Sequence, residues 1–158
     1  MQKDQRWLLS GGLLTGAASL LHVAIILGGP DWYRFFGAGE RMARQAELGS
    51  PYPAIITAGI ASVLALWTLY GLSGAGVIRQ LPLLRLALVL IATVYLLRGV
   101  LGIPVVLLVD DPYTRQLRAR MTFMVMSSAI CVGLGLCYAI GAAGSARGPR
   151  RANRLGDL

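Results

Sequence analysis

Residues 81–111 read LPLLRLALVLIATVYLLRGVLGIPVVLLVDD, an apolar run with one arginine, Arg98, near its middle. A bilayer's hydrocarbon core is ~30 Å thick, and ~20 apolar residues in a helix cross it. An arginine at the centre of such a helix costs at least ~2.5–3.5 kcal/mol on insertion scales. A long apolar helix carrying one interior cation therefore constrains the rest of the chain. Arg98 is expected to face other helices or a wet cavity, and the other apolar segments are expected to shield it.

Three further runs are long enough to do so, which places spans at about 8–27, 53–72, 82–109 and 121–143. Of the 158 residues, 56% are hydrophobic before any of the 20 glycines is counted, and only 14% are charged. Soluble chains carry ~25% charged residues. Here the charges are bunched between the apolar runs. The fold class predicted is all-α: a polytopic membrane protein, a four-transmembrane-helix bundle forming one domain over residues 1–143. A short outer interfacial amphipathic helix at about 38–48 separates spans one and two, and residues 144–158 form a basic disordered tail. The net charge of +8 does not point to nucleic acid, because no basic face remains once the spans are drawn. Basic loops flanking membrane spans account for it.

Small residues mark the expected packing faces. Gly12, Gly16 and Ser19 share one side of span one, and Ala54, Ala58 and Ser62 form a stripe on span two. Such faces let membrane helices approach closely. Gly28, Gly29, Pro30 and Asp31 end span one, and Pro53 suits the first turn of span two. Trp67 and Tyr70 are expected at the far interface of span two. The short 73–81 connection makes spans two and three antiparallel neighbours. In the segment between spans one and two, Met42, Ala43 and Ala46 fall on one side of a short helix. Trp32, Tyr33, Phe35 and Phe36 precede it at headgroup level. Pro104 removes a hydrogen bond to the Val100 carbonyl and is expected to kink span three. Met121, Met124 and Met126 read as packing filler. Cys131 and Cys137, ~9 Å apart along one helix, cannot pair with each other.

Four spans put both termini on one side. That side carries Lys3, Arg6, Arg79, Arg85, Arg147, Arg150, Arg151 and Arg154, and the other carries Arg34, Arg41, Arg44, Arg115, Arg118 and Arg120. The excess of basic residues favours cytoplasmic termini. The localisation expected is the bacterial inner membrane, multi-pass.

In this topology His22 falls in the outer half of span one and Arg98 near or slightly beyond the middle of span three. Tyr95 precedes Arg98 by three residues and shares its side. Thr57 lies in the outer part of span two. Glu40 is the acid best placed to reach Arg98 from the outer segment. A polar pocket of Arg98, His22, Tyr95, Glu40 and Thr57, opening outward, is the candidate binding site. The alternative is a structural staple in which Arg98 bonds Glu40 or backbone carbonyls.

Other chemistries fail on inventory. One histidine excludes bis-His haem within one protomer. No HxxxH, CxxC or intramembrane carboxylate pair offers a metal site. No GxSxG, P-loop or dinucleotide fingerprint occurs. None of the seven acids falls inside a span, as a proton channel or coupled transporter usually requires. Arg98 suits an anion better, since guanidinium holds carboxylate or phosphate bidentately. No catalytic residue and no cofactor is assigned.

Several of these features occur in a familiar order. A first helix ends in His22 and Gly28-Gly29-Pro30, followed by Phe36-Gly37-Ala38-Gly39-Glu40, a helix begun at Pro53, and Arg98-Gly99 in the third helix. This layout resembles that of small bacterial four-helix inner-membrane proteins of the broad DoxX-like kind. The resemblance covers most of residues 8–140 and implies an accessory or small-ligand-binding membrane protein.

The function expected is binding of a lipid, a quinone-like molecule or an anionic amphiphile around Arg98. Two alternatives stand beside it. One is a membrane enzyme acting on a lipid or isoprenoid, with His22 and Glu40 as acid and base. The other is a structural subunit of a membrane complex with Arg98 as a buried staple. The bilayer is the expected partner, with a homodimer or a larger membrane complex left open.

Overall fold

The computed structural model describes residues 2–109, 114, 115, 118 and 121–145. Among these the protein is all-α, with six helices and no strand. They are α1 (Lys3–Gly28), α2 (Pro30–Phe35), α3 (Glu40–Glu47), α4 (Tyr52–Gly74), α5 (Leu84–Leu108) and α6 (Met121–Ser145). The helices α1, α4, α5 and α6 are each long and apolar enough to cross a membrane. The expected tail and most of the 110–120 connection lie outside the described residues.

The helix bounds differ from the apolar runs in an instructive way. α1 begins at Lys3, five residues before its apolar run, because charged residues can continue a helix beyond hydrocarbon. Gln2 and Gln5 close that end reciprocally in a capping box. Between spans one and two the sequence suggested one short helix, and the structure has two. α2 opens with Pro30 in its first turn and Asp31 at its positive end, both helix-start signals. α3 turns Ala43 fully inward against Ile25 and Tyr33, with Met42 and Ala46 beside it. Its apolar side is the expected one, and α3 packs on α2 and α4.

The four long helices pack side by side. α1 lies between α4 and α6, α5 packs chiefly on α6, and α4 touches α5 and α6 more lightly. So the short 73–81 connection brings α4 and α5 together, yet the principal partner of each is another helix. Small residues set the closest approaches. A Cβ on Gly71 would stand 2.8 Å from the Gly12 Cα and 2.9 Å from the Tyr138 hydroxyl, leaving no room for a side chain. Gly16 faces Thr68, and the Ser19 hydroxyl donates to the Ala61 carbonyl at 2.8 Å.

The α4 stripe is a correction. Ala58 and Ser62 are exposed, and the Ser62 hydroxyl bonds back to the Ala58 carbonyl. The buried side is Pro53, Thr57, Ala61, Leu64 and Gly71. Small residues occur on more than one side of α4, and the glycine contact with α1 sets its rotation. Trp67 takes part in the packing between helices. It packs edge-on against Tyr95, ring centroids 5.1 Å apart, in a core with Leu8, Leu88, Ile91 and Tyr138.

The outward surface is apolar, with Leu13, Leu20, Ile55, Leu90 and Ile130 among the exposed side chains. Thr15, Ser19, Thr57 and Ser128 are buried. Apolar residues outside and hydroxyls between helices suggest a multi-pass membrane protein.

Candidate functional site

Three polar clusters accompany this frame. The first joins the long helices. Tyr95 and Tyr138 both donate to the Thr15 hydroxyl, at 3.2 and 3.3 Å, and the Tyr138 hydroxyl also lies 3.1 Å from the Trp67 carbonyl. Tyr95 thereby bridges α5 to α1. Every hydroxyl in this cluster has a partner, so it holds helices together.

The second lies at the α2–α3 end. Arg34 donates to both carboxylate oxygens of Glu40, at 3.0 Å each, and to Glu47 at 2.7 Å. These bonds hold the Glu40 carboxyl below its ordinary range, and they raise Arg34 further above its own. Arg44 adds a longer contact to Glu40 at 3.7 Å.

The third surrounds Arg98. α5 buries Leu88, Ile91, Ala92, Tyr95, Gly99 and Val106. Arg98 sits at the edge of that side and is exposed. Its guanidinium folds along α5 to Gly102, where Nη1 occupies the space a Cβ would take. The Ser128 hydroxyl of α6 stands 3.1 Å from the same point. Gly99 is used differently: a Cβ there would meet the Ser128 carbonyl and the Val132 nitrogen, each at 2.9 Å, so α6 backbone fills that gap. Pro104, one turn on, has no N–H for the Val100 carbonyl. The Cys131 thiol lies within electrostatic reach of the guanidinium. Among the described residues, no hydrogen-bond or ion-pair partner engages Arg98.

Thus the five sequence-derived candidates part company. His22 Nδ1 lies 2.7 Å from its own helix's Ala18 carbonyl. Glu40 is held by Arg34, Tyr95 by Thr15, and Thr57 is buried on α4. Arg98 lies on the outer flank of α5, where the sequence suggested an interior position. The reason is packing: Tyr95 and Gly99 take the α5–α6 seam, and a long cation at its edge can lie along the glycine step. The staple with Glu40 is likewise absent among the described residues, since Arg34 takes both of that carboxylate's oxygens.

The residue that sequence reasoning missed is Ser128. It is 3% exposed, and its hydroxyl has no partner. Its one sequence signal is the Ser127-Ser128 pair inside an apolar run, which does not say what it faces. Among the described residues no cluster of metal-ligating side chains occurs, and both cysteines are free. Chemically, the Arg98 notch offers a guanidinium fork with open donors beside a buried hydroxyl and, among the described residues, no competing acid, an arrangement suited to an anion.

No family model, curated protein or solved structure matches this chain.

Proposed function

We propose that this protein is an integral inner-membrane protein of accessory, ligand-binding type, with both termini cytoplasmic. It holds a lipid, a quinone-like molecule or an anionic amphiphile at Arg98. The α2–α3 end then faces outward, and the four long helices form a transmembrane bundle. The observation that carries this is the unengaged Arg98 guanidinium on the flank of α5. A charge in that setting lowers its free energy by gaining an anion. The acid–base alternative finds no support in the placement of its two residues, because His22 is bonded to Ala18 and Glu40 to Arg34.

Native mass spectrometry with lipid identification, run on detergent-purified wild type beside Arg98→Ala, tests the proposal. A defined small amphiphile that accompanies wild type and is lost from a folded Arg98→Ala protein is the expected result. A wild type that carries none, beside a variant that falls apart, would make Arg98 a structural residue.

A further inference from the structure

Ser128 is out of keeping with its neighbours. A hydroxyl in an apolar helix ordinarily bonds a carbonyl one turn back. Thr68 donates to Leu64, Thr93 to Val89, and Ser62 to Ala58, each at 2.8–2.9 Å. Ser127 donates to the Met124 carbonyl at 3.1 Å. That carbonyl is the one Ser128 would use. Ser128 is left buried with an unused hydroxyl, pointing at the Gly102 step where the Arg98 guanidinium lies. The Arg98 guanidinium and the unpartnered Ser128 hydroxyl thus share one notch.

The depth of the notch narrows the ligand. α5 spans Leu84–Leu108, so its midpoint is Leu96 and Gly102 lies six residues beyond. That is ~9 Å of rise. Half of a hydrocarbon core is ~15 Å. The notch therefore lies ~6 Å below the headgroup boundary when α5 is centred in the bilayer. A phosphate carried on two acyl chains sits outside that boundary. A carboxylate on a single chain can sink to it. Val94 and Leu90, one and two turns below Arg98 on the same flank, are exposed and offer the chain an apolar track.

We propose that Arg98 and Ser128 together bind the carboxylate of a single-chain amphiphile, with Gly102 as the floor of the site. Once the guanidinium lifts from the Gly102 step, its fork takes the carboxylate, and the Ser128 hydroxyl, enclosed until then, donates a further bond to it. This rests on the ligand-binding role proposed above and names the class of ligand.

The test uses full-length protein in nanodiscs of neutral lipid, with oleate, oleyl alcohol and phosphatidylglycerol as probes. Binding is read on wild type, Ser128→Ala and Arg98→Lys. Ser128→Ala removes an unused hydroxyl, so it should fold as well as wild type, and Arg98→Lys keeps the charge while losing the fork. Oleate should bind wild type and bind Ser128→Ala roughly tenfold or more weakly, the effect of one hydrogen bond to a charged group. Arg98→Lys should also weaken binding, and oleyl alcohol should compete poorly. Equal binding of oleate to wild type and Ser128→Ala, or of oleyl alcohol and oleate to wild type, overturns the carboxylate site. Arg98-dependent retention of phosphatidylglycerol without oleate overturns it too, while leaving the ligand-binding role standing. If wild type retains no probe, the carboxylate site falls, and if the purified protein also carries no amphiphile of its own, the ligand-binding role falls with it.

Discussion

Arg34 and Glu40 are joined by two hydrogen bonds of 3.0 Å, Nε to Oε2 and Nη2 to Oε1, a side-by-side pairing of guanidinium and carboxylate. This ties the end of α2 to the start of α3. It also engages the acid that Arg98 was expected to use.

The pairing has a pH signature. Glu40 is charged in the pair and titrates below its ordinary value of 4.5, chiefly because Arg34 donates to it. A carboxyl depressed in the folded state contributes stability above its unfolded pKa, and loses it as pH falls through the folded value. The link should therefore persist through pH 4.5 and loosen only in more acidic solution. The chain has two glutamates, so carboxyl ¹³C resonances of labelled protein in micelles can follow them. Glu40 should titrate below the normal range in wild type and return to it in Arg34→Gln.

Gly71→Ala should destabilise the protein by ~1–3 kcal/mol, the usual result of overpacking. Its new methyl would press on the Gly12 backbone, which cannot retreat without moving α1. Gly59→Ala meets nothing within 4 Å and should be tolerated. Thermal unfolding in detergent compares the two. Equal losses would mean that the α1–α4 glycine contact does not matter.

Gly99 and Gly102 lie one turn apart and should respond differently. Gly99→Ala pushes against α6 backbone and should cost stability. Gly102→Ala meets the far end of the flexible Arg98 side chain, which can swing away. It should leave the unfolding temperature nearly unchanged while lowering retention of the co-purifying amphiphile. Thermal unfolding and native mass spectrometry on both variants check this.

Arg118 donates to the Val106, Leu107 and Val109 carbonyls, at 2.7–3.0 Å, and so caps the end of α5. A cation there also suits the helix dipole. Arg118→Ala should fray the last turn of α5, seen as faster amide exchange over 105–109, with the centre of the helix still protected. A change spread over the whole of α5 would contradict a local cap.

Thr15→Val should cost more than Tyr95→Phe. The first leaves the Tyr95 hydroxyl buried without its acceptor, while Tyr138 keeps the Trp67 carbonyl. The second removes a hydroxyl and leaves Thr15 with Tyr138. Membrane hydrogen bonds average only ~0.6 kcal/mol, and an orphaned buried group costs ~1–3 kcal/mol. Chemical denaturation in micelles can rank the pair.

The long helices were legible in the sequence because hydropathy over ~20 residues is a strong signal. The inward side of α3 was legible too, since Met42, Ala43 and Ala46 recur at helical spacing. α2 was missed because its aromatic residues read equally well as an interfacial anchor. The stripe on α4 was misplaced because small residues line several of its sides.

The sequence by itself determined that this chain is helical, that four helices are apolar enough to span a bilayer, and that an arginine lies within one of them. Hydrophobic run length and helical periodicity carry that information locally. Only the tertiary structure decided which partner the polar groups take across elements: Glu40 with Arg34, Tyr95 with Thr15, and Arg98 beside Ser128. Those pairings depend on helix rotation and depth. Both are set by a few glycine contacts between segments distant in the chain, such as Gly12 with Gly71 and Gly99 with Val132.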